Sequence, residues 1–179
     1  MPSYFLAILP PSEISKEIMA FQKEIEESFG AKHAQKVPPH LTVVPPFDAS
    51  EIQVSTFTRN LQSFLKTEAV NDIELCLDNF QRFESRTLFV DVAENERLEK
   101  LCKDIKLLFN QEKIINQRVE KHFFVPHITL ANKDLKKRAF NQLWEEYRER
   151  KYQRSFIFTE ITVLKKEEEM WVVNQSVKR

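Results

Sequence analysis

The sequence predicts an α+β fold with two lobes of sheet and helix, related by a pseudo-two-fold axis and facing one central cleft. Three observations carry that expectation. Short apolar runs, several alternating at period two, are interleaved with longer stretches whose apolar residues recur every three or four positions. The order strand, helix, strand, helix, strand runs through twice, giving lobe-forming repeats of about 1–85 and 86–179. The middle strand of each repeat holds the same pattern of proline, histidine, aliphatic, threonine, aliphatic: Pro39-His40-Leu41-Thr42-Val43 and Pro126-His127-Ile128-Thr129-Leu130. No Gly/Ser-rich linker separates the repeats, so residues 1–179 are expected to form one bilobal domain.

In order, Tyr4 to Leu9 reads as a buried strand ending at Pro10-Pro11. Ser12 is placed to cap a helix with Ile14, Ile18, Phe21, Ile25 and Phe29 on one stripe. Gly30, the only glycine, stands where a helix end needs positive φ. A polar connection with Lys32, His33 and Lys36, read as exposed loop, leads to the first His-Thr strand, which is expected to stop at Pro45-Pro46. Ser50 is placed to cap a second helix carrying Ile52, Phe57, Leu61 and Leu65. Ile73, Leu75 and Leu77 alternate with polar neighbours as a half-buried strand, followed by a loop holding Arg82, Phe83 and Arg86.

The second repeat begins with a strand over Leu88, Val90 and Val92. A helix with Leu98, Leu101, Cys102, Ile105, Leu108 and Phe109 on one stripe follows. A polar connection containing Lys113, Asn116, Gln117, Arg118, Lys121 and a loop histidine, His122, leads to the second His-Thr strand. Asp134 to Glu149 reads as a helix with Leu135, Ala139, Leu143 and Tyr147 inward. Phe156 to Leu164 and Met170 to Val173 read as a terminal hairpin whose charged tip is Lys165 to Glu169.

Composition narrows the function. Lys plus Arg and Asp plus Glu are 27 each, so there is no cationic excess for a duplex nucleic-acid groove. One glycine in 179 residues excludes a glycine-rich phosphate loop. Cys76 and Cys102 sit in apolar-patterned segments without a CxxC pair and read as small buried hydrophobes in a reducing compartment. No signal peptide or membrane span is visible, so a cytoplasmic location is expected, and a monomer.

On a strand, His40 and Thr42 share one face while Leu41 and Val43 share the other; His127 and Thr129 separate from Ile128 and Leu130 likewise. Each segment offers an imidazole and a hydroxyl side by side. Two imidazoles flanking a phosphorus, one neutral and one protonated, suit phosphodiester chemistry: a proton leaves the attacking oxygen and another reaches the departing one. Threonine hydroxyls donate to non-bridging oxygens. His40 and His127 are therefore the expected acid/base pair, with either in either role, and Thr42 and Thr129 the expected phosphate binders. Arg86 and Phe83 are candidate contacts to phosphate and base, with a solvated loop as the other reading. A lone histidine before an apolar strand is most often a hydrogen-bonded structural residue; the duplication favours chemistry. A zinc site is disfavoured, because threonine occupies i+2 where a further ligand would stand. No metal or cofactor is expected.

These two H-[LI]-T-[VL] segments resemble the signature of the two-histidine (2H) phosphoesterase superfamily, with its 2′-5′ RNA ligases and RNA 2′,3′-cyclic phosphodiesterases. Phe5-Leu6-Ala7, the run Pro38 to Thr42 leading into Pro45-Pro46-Phe47, and Phe123 through Leu130 extend the resemblance over essentially the whole chain. It implies a bilobal α+β fold, both histidines acting on phosphate, and no metal requirement. The substrate it implies is an RNA terminus or small nucleotide carrying a 2′,3′-cyclic phosphate or 2′-5′ linkage, hydrolysed or, in reverse, formed. Many relatives carry an arginine near Ser3-Tyr4 and a basic residue near Asn132, positions that concern substrate contacts. A non-catalytic nucleotide- or RNA-end-binding module of the same fold is the alternative, and a protein-interaction domain a third.

Overall fold

β1 (Ser3–Ile8) is buried because both its faces are covered. Tyr4, Leu6 and Ile8 enter the main core, whereas Phe5 and Ala7 join Leu164 in a smaller cluster with Leu9, Val37 and Trp171. These and all further details come from a computed structural model that describes residues 1–67, 72–84, 86–112, 114 and 124–179. Lys113, Asn116, Gln117, Arg118, Lys121, His122 and Phe123, named above, lie outside the described residues.

α1 (Ser12–Phe29) buries Ile14, Ile18, Gln22 and Ile25. Ser12 does not cap it. The N-cap is Pro11, with no side-chain hydrogen bond, so the helix begins one residue earlier, and the Ser15 hydroxyl donates to the Pro10 carbonyl at 2.9 Å. Gly30 ends the helix at φ 75°, its N–H donating to the Glu26 carbonyl at 2.8 Å. A 3-10 turn over His33–Lys36 follows, and the first His-Thr strand is β2 (Leu41–Asp48). β2 runs through Pro45-Pro46 instead of stopping there. Its pairing with β1 moves from Val44 opposite Leu6 to Phe47 opposite Tyr4, a register shift that accommodates the two prolines within the strand.

α2 (Glu51–Thr67) starts at Ser50, whose N–H donates to Gln53 Oε1 (2.9 Å) while its hydroxyl accepts from the Gln53 N–H (3.3 Å), a reciprocal cap. β3 (Glu74–Phe83) and β4 (Thr87–Val92) make a hairpin. Arg82 and Phe83 are therefore strand residues, drawn in by pairing with Leu88 and Thr87, and only Arg86 is left in the turn. α3 (Glu96–Gln111) is capped by Asn95, whose side chain accepts from the N–H groups of Arg97 and Leu98. β5 (His127–Asn132) is the second His-Thr strand, followed by α4 (Lys137–Tyr147). The expected strand from Phe156 to Leu164 is split. β6 (Gln153–Ile157) pairs with β3, whereas β7 (Glu160–Glu167) pairs with β1 and with β8 (Met170–Lys178).

Among the described residues the eight strands form one sheet in the order β6-β3-β4-β5-β2-β1-β7-β8, antiparallel at every junction. The two His-Thr strands are its centre. Each half of the sheet is assembled across the midpoint of the chain. β3 stands with β4, β5 and β6 because a tight turn ties it to β4, and β7 and β8 return to stand beside β1 and β2. The strands therefore do not divide between the two halves of the sheet at residue 85. Apolar residues of α1 to α4 pack into the one main core. Among the described residues no helix is long and apolar enough to cross a membrane.

Candidate active site

β2 and β5 meet through a single partner pair, Leu41 opposite Ile128. His40 and Thr42 flank Leu41, and His127 and Thr129 flank Ile128, so the four residues border this one pair. Leu41 and Ile128 are 2% and 1% exposed in the core, so the alternating neighbours turn to the other face of the sheet. His40, Thr42 and Thr129 share one cavity beside this junction, and His127, which is not on that wall, is close enough for its charge to act on His40. Among the described residues no hydrogen bond engages either threonine hydroxyl.

The two rings are held by the same device. His40 Nδ1 lies 2.9 Å from the Pro38 carbonyl and His127 Nδ1 lies 2.7 Å from the Val125 carbonyl, each two residues back. A carbonyl only accepts, so Nδ1 carries the hydrogen and Nε2 is the face offered to a ligand. The intervening Pro39 and Pro126 have fixed φ, which holds each carbonyl beneath its ring. This is the local reason for proline in both segments.

Their surroundings differ. The His40 ring centroid is 4.9 Å from that of Phe5, which is 4.8 Å from Trp171 edge-on. Burial in that apolar setting holds the His40 pKa down to about 4, against the raising effect of the Pro38 carbonyl, and the charge of His127 lowers it further. His127 rests on Phe83 (4.9 Å) and Phe89 (5.1 Å) and stands opposite Asp91 in the β4–β5 ladder. Burial lowers its pKa too, opposed by the Val125 carbonyl and by the Asp91 carboxylate. Burial in turn raises the pKa of Asp91.

A cavity of about 460 Å³ has His40, Thr42 and Thr129 on its wall. It extends to Lys36, Lys166, Glu169 and Trp171, and Lys36 Nζ contacts Glu169 Oε2 at 2.7 Å across its mouth. The Lys165 to Glu169 run is, as read from sequence, the charged tip of a hairpin, joining β7 to β8, and its Lys166 and Glu169 also border this cavity because β7 returns beside β1. His33, read as exposed loop, is half-buried on the same wall; its N–H and that of Lys32 donate to Asp134 Oδ2, both at 2.7 Å. A second cavity of about 570 Å³ is lined by Arg82, Phe83, Arg86 and Thr87 and meets the first at Asn132 and Lys133. Phe83 and Arg86 therefore stand on the His127 side of the centre. The Arg82 guanidinium lies 5.0 Å from the Trp144 ring centroid. Asn132 Oδ1 is buried without a hydrogen-bond partner among the described residues, and Lys133 adopts φ 66°.

Sequence reasoning missed Gln22. It is 3% exposed, lines the first cavity, and donates from Nε2 to the Thr129 carbonyl at 3.0 Å. The signal was present: a polar residue four positions after Ile18, on the apolar stripe of α1. Among the described residues no three His, Cys, Asp or Glu side chains are grouped as a metal ion would need.

Comparison with known proteins finds relatives of this chain. A family model described as the 2′-5′ RNA ligase superfamily matches residues 10–169. A provisionally named phosphoesterase of Geobacillus sp. (strain WCH70) is 27% identical over 147 residues, 81% of this chain and 77% of that protein. Another from Bacillus licheniformis is 24% identical over 135 residues, 73% and 70% of the two chains. Among solved structures, TT0787 of Thermus thermophilus superposes with a TM-score of 0.69 at 16% identity, covering 99% of this chain and 97% of its own. LigT of E. coli, complexed with 3′-AMP, gives a TM-score of 0.66 at 17% identity, covering 98% and 97%. At such identities the likeness is one of fold.

Proposed function

This chain belongs to the 2′-5′ RNA ligase superfamily, and from that premise we propose that it is a metal-independent phosphoesterase. It hydrolyses, or in reverse forms, a 2′,3′-cyclic phosphate or 2′-5′ phosphodiester at an RNA terminus or in a small nucleotide. The observation that supports this reading is the pairing of Leu41 with Ile128, which makes the two His-Thr strands neighbours at the centre of the sheet. The ligands of LigT structures, 3′-AMP, ATP and NADP+, support a nucleotide as the bound species.

Hydrolysis of the cyclic ester follows from the two rings. Water attacks phosphorus and gives its proton to the neutral imidazole. The bond from phosphorus to one ribose oxygen breaks, and that oxygen takes the proton of the charged imidazole, leaving a phosphomonoester beside a free hydroxyl. Thr42 and Thr129 donate to the non-bridging oxygens as negative charge builds there. His40, the ring whose proton affinity is the more strongly depressed, is the base. His127, beside the Asp91 carboxylate, is the acid. Phe83 and Arg86 contact the base and flanking phosphate from the second cavity.

The test is turnover of 2′,3′-cyclic nucleotides in excess EDTA. Hydrolysis by the native protein that vanishes in His40→Ala and in His127→Ala is the expected result. Binding without turnover in the native protein makes the chain a nucleotide-binding module instead, and loss of hydrolysis in chelator overturns the metal-independent reading.

A further inference from the structure

The two His-Thr strands share one partner pair, yet β5 continues four residues beyond Ile128 to Asn132. On its β4 side it stays paired through Ala131 and Asn132. On its β2 side the ladder ends at Ile128, where the strands part and the cleft opens. A backbone carbonyl exposed by such a parting needs a donor, because an unpaired buried acceptor is costly. At Thr129 that donor is the Gln22 side chain, reaching from α1, 107 positions earlier, at 3.0 Å. The partner is a carbonyl, so the amide is oriented with nitrogen toward β5.

Three features separate this glutamine from an ordinary core residue. It is 3% exposed on a stripe otherwise made of Ile14, Ile18 and Ile25, where an apolar side chain would pack but would leave the Thr129 carbonyl without this donor. It lines the same cavity as His40, Thr42 and Thr129. It is also braced: Gln35 Nε2 donates to Glu26 Oε2 at 2.9 Å and lies 3.4 Å from the Gln22 carbonyl, tying the 3-10 turn that precedes His40 to the same part of α1. One helix segment therefore contacts the chain leading to His40 and the strand carrying Thr129.

We infer that Gln22 is a positioning residue for the phosphoester site: its amide takes the place of a β2 partner at Thr129 and fixes the separation of the two His-Thr strands where they part. Its effect falls on the reacting geometry, since displacement of a catalytic group by a fraction of its contact distance is enough to slow a reaction. The inference rests on the functional reading above.

Gln22→Leu removes the donor at similar volume, and Gln22→Glu keeps the shape while its donor exists only when the carboxyl is protonated. Against a 2′,3′-cyclic nucleotide, Gln22→Leu is expected to stay folded at the assay temperature and to lose about 10- to 100-fold in kcat with a much smaller change in KM. Gln22→Glu is expected to recover activity relative to the native protein as pH falls. A folded Gln22→Leu with native kcat, or a Gln22→Glu whose activity ratio to the native protein does not change with pH, overturns the inference; should Gln22→Leu fail to fold, Gln22→Glu alone decides. If the native protein turns over no cyclic phosphate, the functional reading fails instead. The inference is then judged by inorganic phosphate followed through the ring nitrogens of His40 and His127 by NMR. Weaker phosphate binding in the folded variants supports it, and equal binding overturns it.

Discussion

The His40 and His127 sides of the cleft are built by one device and finished differently. On each side a proline fixes a carbonyl two residues before the histidine, the carbonyl takes the Nδ1 hydrogen, and a threonine follows two residues later. Behind His40 lie Phe5, then Trp171, with Leu9 and Val37 in the same apolar cluster. Behind His127 lie Phe83 and Phe89, with the carboxylate of Asp91 as its strand neighbour. The repeated segment orients the ring, and the neighbouring strand sets how readily it holds a proton. Two copies of one motif can thereby serve as base and acid, because that pair of roles requires unequal proton affinities.

The largest effect expected is at the histidines themselves. His40→Ala and His127→Ala each lose about 10²- to 10⁴-fold in kcat/KM toward a 2′,3′-cyclic nucleotide, measured by initial rates on protein of native circular dichroism. A variant that keeps most of its activity breaks the equivalence of the two sides. Next come the hydroxyls: Thr42→Ala and Thr129→Ala each lose about 10- to 10³-fold in kcat as one donor to the developing charge is removed.

The comparison sharpens in its pH dependence. The base must be neutral and the acid charged, and both free-enzyme pKa values lie below the ordinary 6.5. The kcat/KM profile is therefore bell-shaped with its maximum on the acid side of pH 6.5. Asp91→Asn removes a charge that favours protonated His127, so the alkaline limb moves to lower pH and activity at pH 8 falls several-fold, while the acid limb set by His40 stays in place. A shift of the acid limb instead would reverse the two roles.

The smallest effect is on stability. The folded-state pKa of His40, about 4, lies below its unfolded value near 6.5, so between those values the unfolded chain binds the extra proton. The contribution is present above pH 6.5 and is lost as pH falls toward 4. Urea midpoints across that window decrease less steeply in His40→Gln than in the native protein. An unchanged slope means that the ring is not desolvated in the folded state.

Much of the fold is legible in the sequence because its signals are local. The stripe from Ile14 to Ile25, the positive φ at Gly30 and the reciprocal cap of Ser50 with Gln53 each follow from spacing and side-chain chemistry within a few residues. Ser12, which does not cap α1, is a local misreading, but other positions have the opposite property. Pro45-Pro46 remain inside β2 because β1 pairs around them, and Phe83 is in a strand because Thr87 draws it there. Lys166 and Glu169 border the cleft because β7 returns to β1. The pairings of β1 with β2 and β7 are remote in sequence, whereas Phe83 is paired across a turn only four positions away.

The sequence alone determined the two His-Thr segments, their strand character and the family they resemble. Alternation on a strand and the fixed φ of proline act over two or three residues, so no distant information is needed. Only the tertiary structure decided that Leu41 meets Ile128, that Asp91 stands beside one histidine and Phe5 beside the other, and that Gln22 reaches Thr129. Strand register, burial and the electrostatic neighbours of a titrating group are set by long-range pairing, which local spacing does not encode.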